Sequence, residues 1–137
     1  MKNSGLVLFM LVSLAGLTMF HCSDLGQPII SPVEHGNFVL YVVNESVQIN
    51  PVEVQVCIDG RCAVAQEFRW NNAMPKQFEF LIEEGKHTLR ATSAYAPNGF
   101  SAEFTRSSTP YATVTFWSDP APPAFTIHFS AEPPGFQ

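Results

Sequence analysis

Basic residues are scarce in this 137-residue chain: seven Lys and Arg, none of them clustered, stand against twelve Asp and Glu. Nucleic-acid binding needs a basic stripe to neutralise phosphates, and docking on anionic lipid needs a polybasic segment, so both function classes are excluded. Glycine-rich phosphate loops are absent. So are the Gly-x-Ser-x-Gly elbow and the Ser-x-x-Lys pair of hydrolases. The one adjacent acidic pair, Glu83-Glu84, reads as a solvated turn, where neighbouring side chains diverge instead of flanking a bond as glycosidase carboxylates do. His21, His35, His87 and His128 show neither i, i+2 spacing nor a Cys/His ligand pattern. No catalytic residue, no metal ligand and no cofactor is therefore assigned, and the chain reads as a non-enzyme.

Long apolar runs are lacking too, with one exception at the start. Lys2 is followed by an uncharged stretch from Leu6 to Phe20, shorter than the roughly 20 residues of a membrane-spanning helix. A short positive region before such a run is the build of a secretory signal, expected over residues 1–21 and cleaved on export. Cys22 follows it directly, at the place where bacterial lipoprotein signals carry their acylated cysteine. The preceding Met19, Phe20 and His21 are bulkier than such signals usually show. Cysteine parity favours lipidation, because the other two of the three cysteines pair with each other and leave Cys22 over. Ordinary cleavage nearby and a free thiol are the alternatives. Residues 22–36, with Gly26, Pro28, Pro32 and Gly36 among polar residues, read as a flexible tether.

What remains is one domain over residues 37–131, closed by a tail at 132–137. It has no amphipathic helix of useful length. Short runs rich in Val, Thr and Phe recur instead, broken by Gly, Pro, Asn and Asp about every ten residues, the mark of a β-sandwich or barrel. Val52, Val54, Val56 and Ile58 alternate with Glu53, Gln55 and Cys57; Phe125, Ile127 and Phe129 alternate with Thr126, His128 and Ser130. A period of two with one apolar face predicts an antiparallel sheet with one wet side. Two such sheets packed face to face give an all-β sandwich of about seven to eight strands.

Cys57-Ile58-Asp59-Gly60-Arg61-Cys62 predicts a hairpin with a type I′ turn, since Asp-Gly tolerates positive φ at both central positions. Cys57 and Cys62 then fall opposite each other on the outer face, about 4.5 Å apart at Cα, within disulfide range. A disulfide clamping that hairpin is the expectation. A redox role is disfavoured, since the spacing is not Cys-x-x-Cys and no helix follows.

Ile82-Glu83-Glu84-Gly85-Lys86-His87-Thr88-Leu89 resembles the corner entering strand F of immunoglobulin-like and transthyretin-like sandwiches, with His87 where their Tyr would stand. A His87 satisfied by backbone is expected, and a solvated His128. The antibody Cys…Trp…Cys framework is missing. The chain is also similar to small exported domains accessory to peptidases and adhesins, and to bacterial envelope lipoproteins. That resemblance implies an immunoglobulin-like fold and an envelope setting, and no activity.

Binding is the remaining function class. Trp70, in Arg69-Trp70-Asn71-Asn72, and Tyr95 and Phe100, flanking Ala96-Pro97-Asn98-Gly99, are aromatic residues of the kind binding patches favour. The bland alternative is that each ring caps the core. Asn44-Glu45-Ser46 matches a glycosylation acceptor and Pro120-Ala121-Pro122-Pro123 a Pro-x-x-P ligand; a bacterial envelope setting and a stiff connector between strands explain them better. The sequence thus suggests an envelope-tethered binding or structural module, with an envelope protein or cell-wall component as partner and the membrane reached only through a lipid on Cys22. A secreted, soluble binder of carbohydrate or another ligand through the loop aromatics is the alternative.

Overall fold

The computed structural model describes residues 30–70, 74–119 and 122–136. The signal segment, Cys22 and the first part of the tether lie outside these residues. Among the described residues there is no helix, and none that could cross a membrane. Eight strands form: β1 (Phe38–Asn44), β2 (Val52–Ile58), β3 (Arg61–Phe68), β4 (Lys76–Phe80), β5 (Lys86–Ser93), β6 (Ala96–Thr105), β7 (Tyr111–Trp117) and β8 (Ala124–Ser130).

The strands make two four-stranded sheets, sheet A in the order β4-β1-β7-β8 and sheet B in the order β3-β2-β5-β6. The inward stripes are the ones the alternation marks. Val52, Val54, Val56 and Ile58 are buried on β2, Ala112, Val114 and Phe116 on β7, and Phe38, Leu40 and Val42 on β1. Burying each large aliphatic or aromatic side chain stabilises the fold by about 1.5–3 kcal/mol. Phe38 and Phe129 stack on the two sides of Phe104, at 4.8 and 5.0 Å between ring centroids, and so tie both sheets together where β6 meets β8.

Two expectations need correction. The sheets are not wholly antiparallel: β1 pairs antiparallel with β4 but parallel with β7, Val39 lying opposite Tyr111 and Asn44 opposite Phe116. A parallel neighbour requires a long crossover, and here the whole of sheet B is built within it. Nor does a disulfide join Cys57 and Cys62. The turn forms as expected, with φ of 51° at Asp59 and 76° at Gly60, and the two cysteines do face each other. A bulge at Ala63 follows directly, since Val56 pairs with Val64 while Cys57 pairs with Cys62. The Cys62 thiol turns along its own strand, 3.6 Å from the Val64 carbonyl and 3.5 Å from Gln55 Nε2. The bulge redirects the side chain, and the thiol is used as a weak donor instead.

The chain enters at one end of the sandwich, which we call the turn end. Residues 30–36, read above as the end of the tether, are hydrogen-bonded to it. Ile30 N–H donates to Cys62 O on β3, Val33 N–H to Glu79 O on β4, and Gly36 N–H to the Glu79 carboxylate. This strap bridges the edge strands of the two sheets and occupies backbone acceptors that an open edge would expose. Asn37 completes the entry by exchanging two hydrogen bonds, both 2.9 Å, with the backbone of Ile82.

Candidate functional site

The opposite end, about 23 Å away along a seven-residue strand, is built from the β1–β2 loop, the start of the β3–β4 loop, the β5–β6 turn and the segment after β7. Asn44 organises it. Its amide donates to Ile49 O at 2.9 Å and Phe68 O at 3.2 Å, and its carbonyl accepts from Ser46 N–H at 2.8 Å. Ser46 bonds Ile49 N–H and the Ser118 hydroxyl, and Asn50 Oδ1 accepts from Trp70 N–H at 2.9 Å. Three loops are thereby locked to one another. Buried to 2% exposure with its amide and its carbonyl oxygen both in use, the Asn44 side chain presents no amide to a glycosyl donor in the folded domain.

Onto this end the fold carries Trp70 and Tyr95, whereas Phe100 lies in mid-sheet on β6, paired with Ala91 at the level of Val56. The register of β2 with β3 and β5 puts the close of β3 and the β5–β6 turn at one level of sheet B, on the order of 10–15 Å apart. Trp70 is 41% exposed, Tyr95 56% and Phe100 44%, so these rings do not serve as a sealed cap on the core. Val47 and Met74 are exposed at the same end. No ring contact joins Trp70, Tyr95 and Phe100 to one another among the described residues: they are separate anchors. Phe100 sits differently from the reading of the sequence, which placed Ala96–Gly99 in a turn. Strand β6 already begins at Ala96, and Gly99, at φ +60, lets its backbone pass so close to Ala91 that a Cβ there would lie 2.1 Å from the Ala91 carbonyl oxygen. A cleft of about 180 Å³ near this end, lined by Val42, Asn44, Phe68 and Met74 among others, is smaller than the ~300–1,000 Å³ of small-molecule sites.

The ion pairs His87–Asp59 and Arg106–Glu84 lie at the turn end. His87 accepts the backbone role expected of it through Nε2, 2.7 Å from Glu83 O, four residues upstream. A second partner was not legible in the sequence: Nδ1 lies 2.6 Å from Asp59 Oδ2 on the β2–β3 turn. The other Asp59 oxygen accepts from Thr88 N–H at 2.8 Å, and Asp59 N–H donates to Thr88 O. The imidazole rests against Phe104, 5.6 Å between centroids. Both ring nitrogens face oxygens, so the doubly protonated ring fits best. The Asp59 hydrogen bond raises the His87 pKa against the opposing effect of burial, and the Glu83 carbonyl adds to the rise. For Asp59, burial pulls upward, but the His87 and Thr88 hydrogen bonds outweigh it and hold the carboxyl below its ordinary value.

An Asp–His pair is two-thirds of a hydrolytic triad in composition only. The nitrogen that would activate a nucleophile is spent on a backbone carbonyl. Glu84 pairs with Arg106, and His35 and His128 are solvent-exposed. Among the described residues no group of three or more His, Cys, Asp or Glu converges as a metal site would. No protein-family model, no curated protein and no solved structure matches the chain.

Proposed function

We propose that this protein is a non-catalytic binding module of the cell envelope, tethered through a lipidated Cys22, that engages an envelope protein or cell-wall component through Trp70, Tyr95 and Phe100. The observation that carries the reading is one of placement. The chain enters at the turn end, whereas exposed Trp70, on a loop fastened by the Asn44–Asn50 network, and exposed Tyr95, in the β5–β6 turn, stand at the opposite end, with Phe100 further along β6. A domain held from its entry side would present those rings away from the anchor. Rigid aromatic side chains on hydrogen-bonded loops lose little freedom on binding, which is what favours Trp and Tyr as anchors. The finer, immunoglobulin-like assignment draws support from His87, which bonds a backbone carbonyl four residues upstream, as the corner Tyr of those domains does.

The test has two parts. Intact mass of the mature protein from its native host is expected to show a diacylglycerol-sized increment that Cys22→Ser removes. Co-sedimentation with purified cell-wall sacculi, and crosslinking from position 47 in intact envelopes, are both compared between the wild type and the Trp70→Ala/Tyr95→Ala/Phe100→Ala variant. Loss in the variant of whichever interaction the wild type shows, with unchanged melting temperature, supports the proposal. No interaction by either route, or one the triple variant retains, overturns it. A bare chain released from the cell, binding soluble glycans through the same rings, would establish the secreted-binder alternative.

A further inference from the structure

The two outward sheet faces differ in chemistry. Sheet B shows water Glu53, Glu67, Arg90, Lys86 and Glu103. The central strands of sheet A, β1 and β7, instead turn outward Val39, Tyr41, Tyr111, Thr113, Thr115 and Trp117, with Glu79 as the nearest carboxylate on β4. A solvated sheet face is ordinarily polar; this one is made of aromatic rings, a valine and hydroxyls. It is also the face over which the chain folds back. After β8 ends at Ser130, opposite Tyr111, the next six described residues return across β7, and Phe136 packs on Tyr41 at 5.0 Å between ring centroids and 58° between planes.

That return is lightly held. Ser130 Oγ donates to Glu132 O at its start, and among the described residues no hydrogen bond ties 133–136 to the sheet. Phe136 keeps 40% of its surface exposed. Pro133 and Pro134 have no N–H to offer a sheet edge and favour the extended polyproline conformation, which docks on aromatic surfaces at low entropic cost.

We infer that the outer face of sheet A around Tyr41 and Tyr111 is a docking surface for an extended, proline-bounded peptide bearing an aromatic side chain, and that the chain's own Pro133–Phe136 occupies it as an intramolecular cover. The covering segment itself specifies the occupant: two prolines set the backbone and one ring fills the place on Tyr41. Burial, with Tyr111 and Glu79 beside it, raises the pKa of Tyr41. The surface is separate from the Trp70 end, and neither proposal depends on the other.

The experiment uses the mature chain carrying Phe136→Ala and, as probe, a synthetic Glu-Pro-Pro-Gly-Phe-Gln peptide copying residues 132–137. Tethered so closely, Phe136 competes at an effective concentration in the millimolar range. The probe is therefore expected to bind the variant at least tenfold more tightly than the wild type, as read by amide chemical-shift changes centred on Tyr41, Tyr111 and Thr113. A Thr113→Lys substitution added to Phe136→Ala should abolish those changes while the remaining spectrum stays folded. The inference is overturned if the probe binds neither protein, binds both equally, or shifts residues elsewhere. Unfolding of the Phe136→Ala chain would overturn it too, by making the segment part of the fold instead of a displaceable cover.

Discussion

Replacing Asp59 by Asn isolates the charge of the His87 clamp from its shape. Asn keeps an acceptor for Thr88 N–H, tolerates the positive φ of 51° and fills the same volume. What it removes is the carboxylate that His87 Nδ1 meets at 2.6 Å. A hydrogen bond to a charged partner contributes about 1.5–3 kcal/mol when buried. Here the His87 side chain is 11% exposed but Asp59 is 47% exposed, and solvent screening brings the expectation down to about 1 kcal/mol. For a domain of this size that lowers the melting temperature by roughly 4–8 °C.

The loss should depend on pH, with a definite sign. Because the folded His87 pKa lies above its unfolded value of 6.5, the folded state holds its proton more tightly. The resulting stabilisation is full below pH 6.5 and fades as pH rises through the folded pKa. Asp59 acts at the other limit: its folded pKa is depressed below 3.8, so its contribution is present above that value and fades as pH falls through the folded pKa. The difference between wild type and Asp59→Asn should therefore be largest near pH 5–6 and shrink toward pH 9 and toward pH 2. Calorimetric melting of both proteins across that range measures it, and the His87 C2–H resonance gives the titration midpoint directly. An equal loss at pH 5.5 and pH 9, or a midpoint unmoved by Asp59→Asn, would refute the reasoning.

Four further outcomes follow from the packing. Asn44→Ala strips partners from Ile49 O, Phe68 O and Ser46 N–H; with about 1 kcal/mol or more for each buried group left unpaired, urea denaturation should show a loss of about 3 kcal/mol. Gly99→Ala forces a Cβ to within 2.1 Å of the Ala91 oxygen at positive φ, so the β5–β6 pairing must shift; a loss above about 2 kcal/mol is expected, with amide exchange accelerated first in β6. Phe104→Ala removes the ring that stacks between Phe38 and Phe129 and should cost about 3–5 kcal/mol in the same denaturation assay, whereas Tyr95→Ala at the exposed turn should cost less than 1 kcal/mol.

Much of the fold was legible because it is written locally. The alternation in Val52–Ile58 is a direct record of which side of β2 meets the core, and Asp59-Gly60 encodes its own backbone angles. Pairing at long range is not written that way. Nothing near Phe38 announces Tyr111 and its neighbours as parallel partners, because that choice is made by the stacking of whole sheets. The bulge at Ala63 has no signature in its own side chain, yet it redirects the Cys62 thiol. The start of β6 hid behind Pro97 and Gly99, which usually mark a turn and here mark a close approach of backbones. At the site, aromatic residues flanked by turn formers were visible as candidates, but which of them share an end depends on strand register, which joins Trp70 with Tyr95 and leaves Phe100 opposite Ala91 in mid-sheet. The partner of His87 lay 28 residues upstream in a turn chosen for its own geometry, so only the folded hairpin brings Asp59 to it.

The parallel pairing of β1 with β7 bears on how the molecule would carry a load. A pull on the chain where it enters, resisted by something gripped at the aromatic end, runs along the axis of β1. The rungs joining β1 to β4 on one side and to β7 on the other lie across that axis, so they are strained together in shear instead of being peeled one at a time. A tension applied between those two ends would therefore have to break the rungs on both sides of the first strand at once.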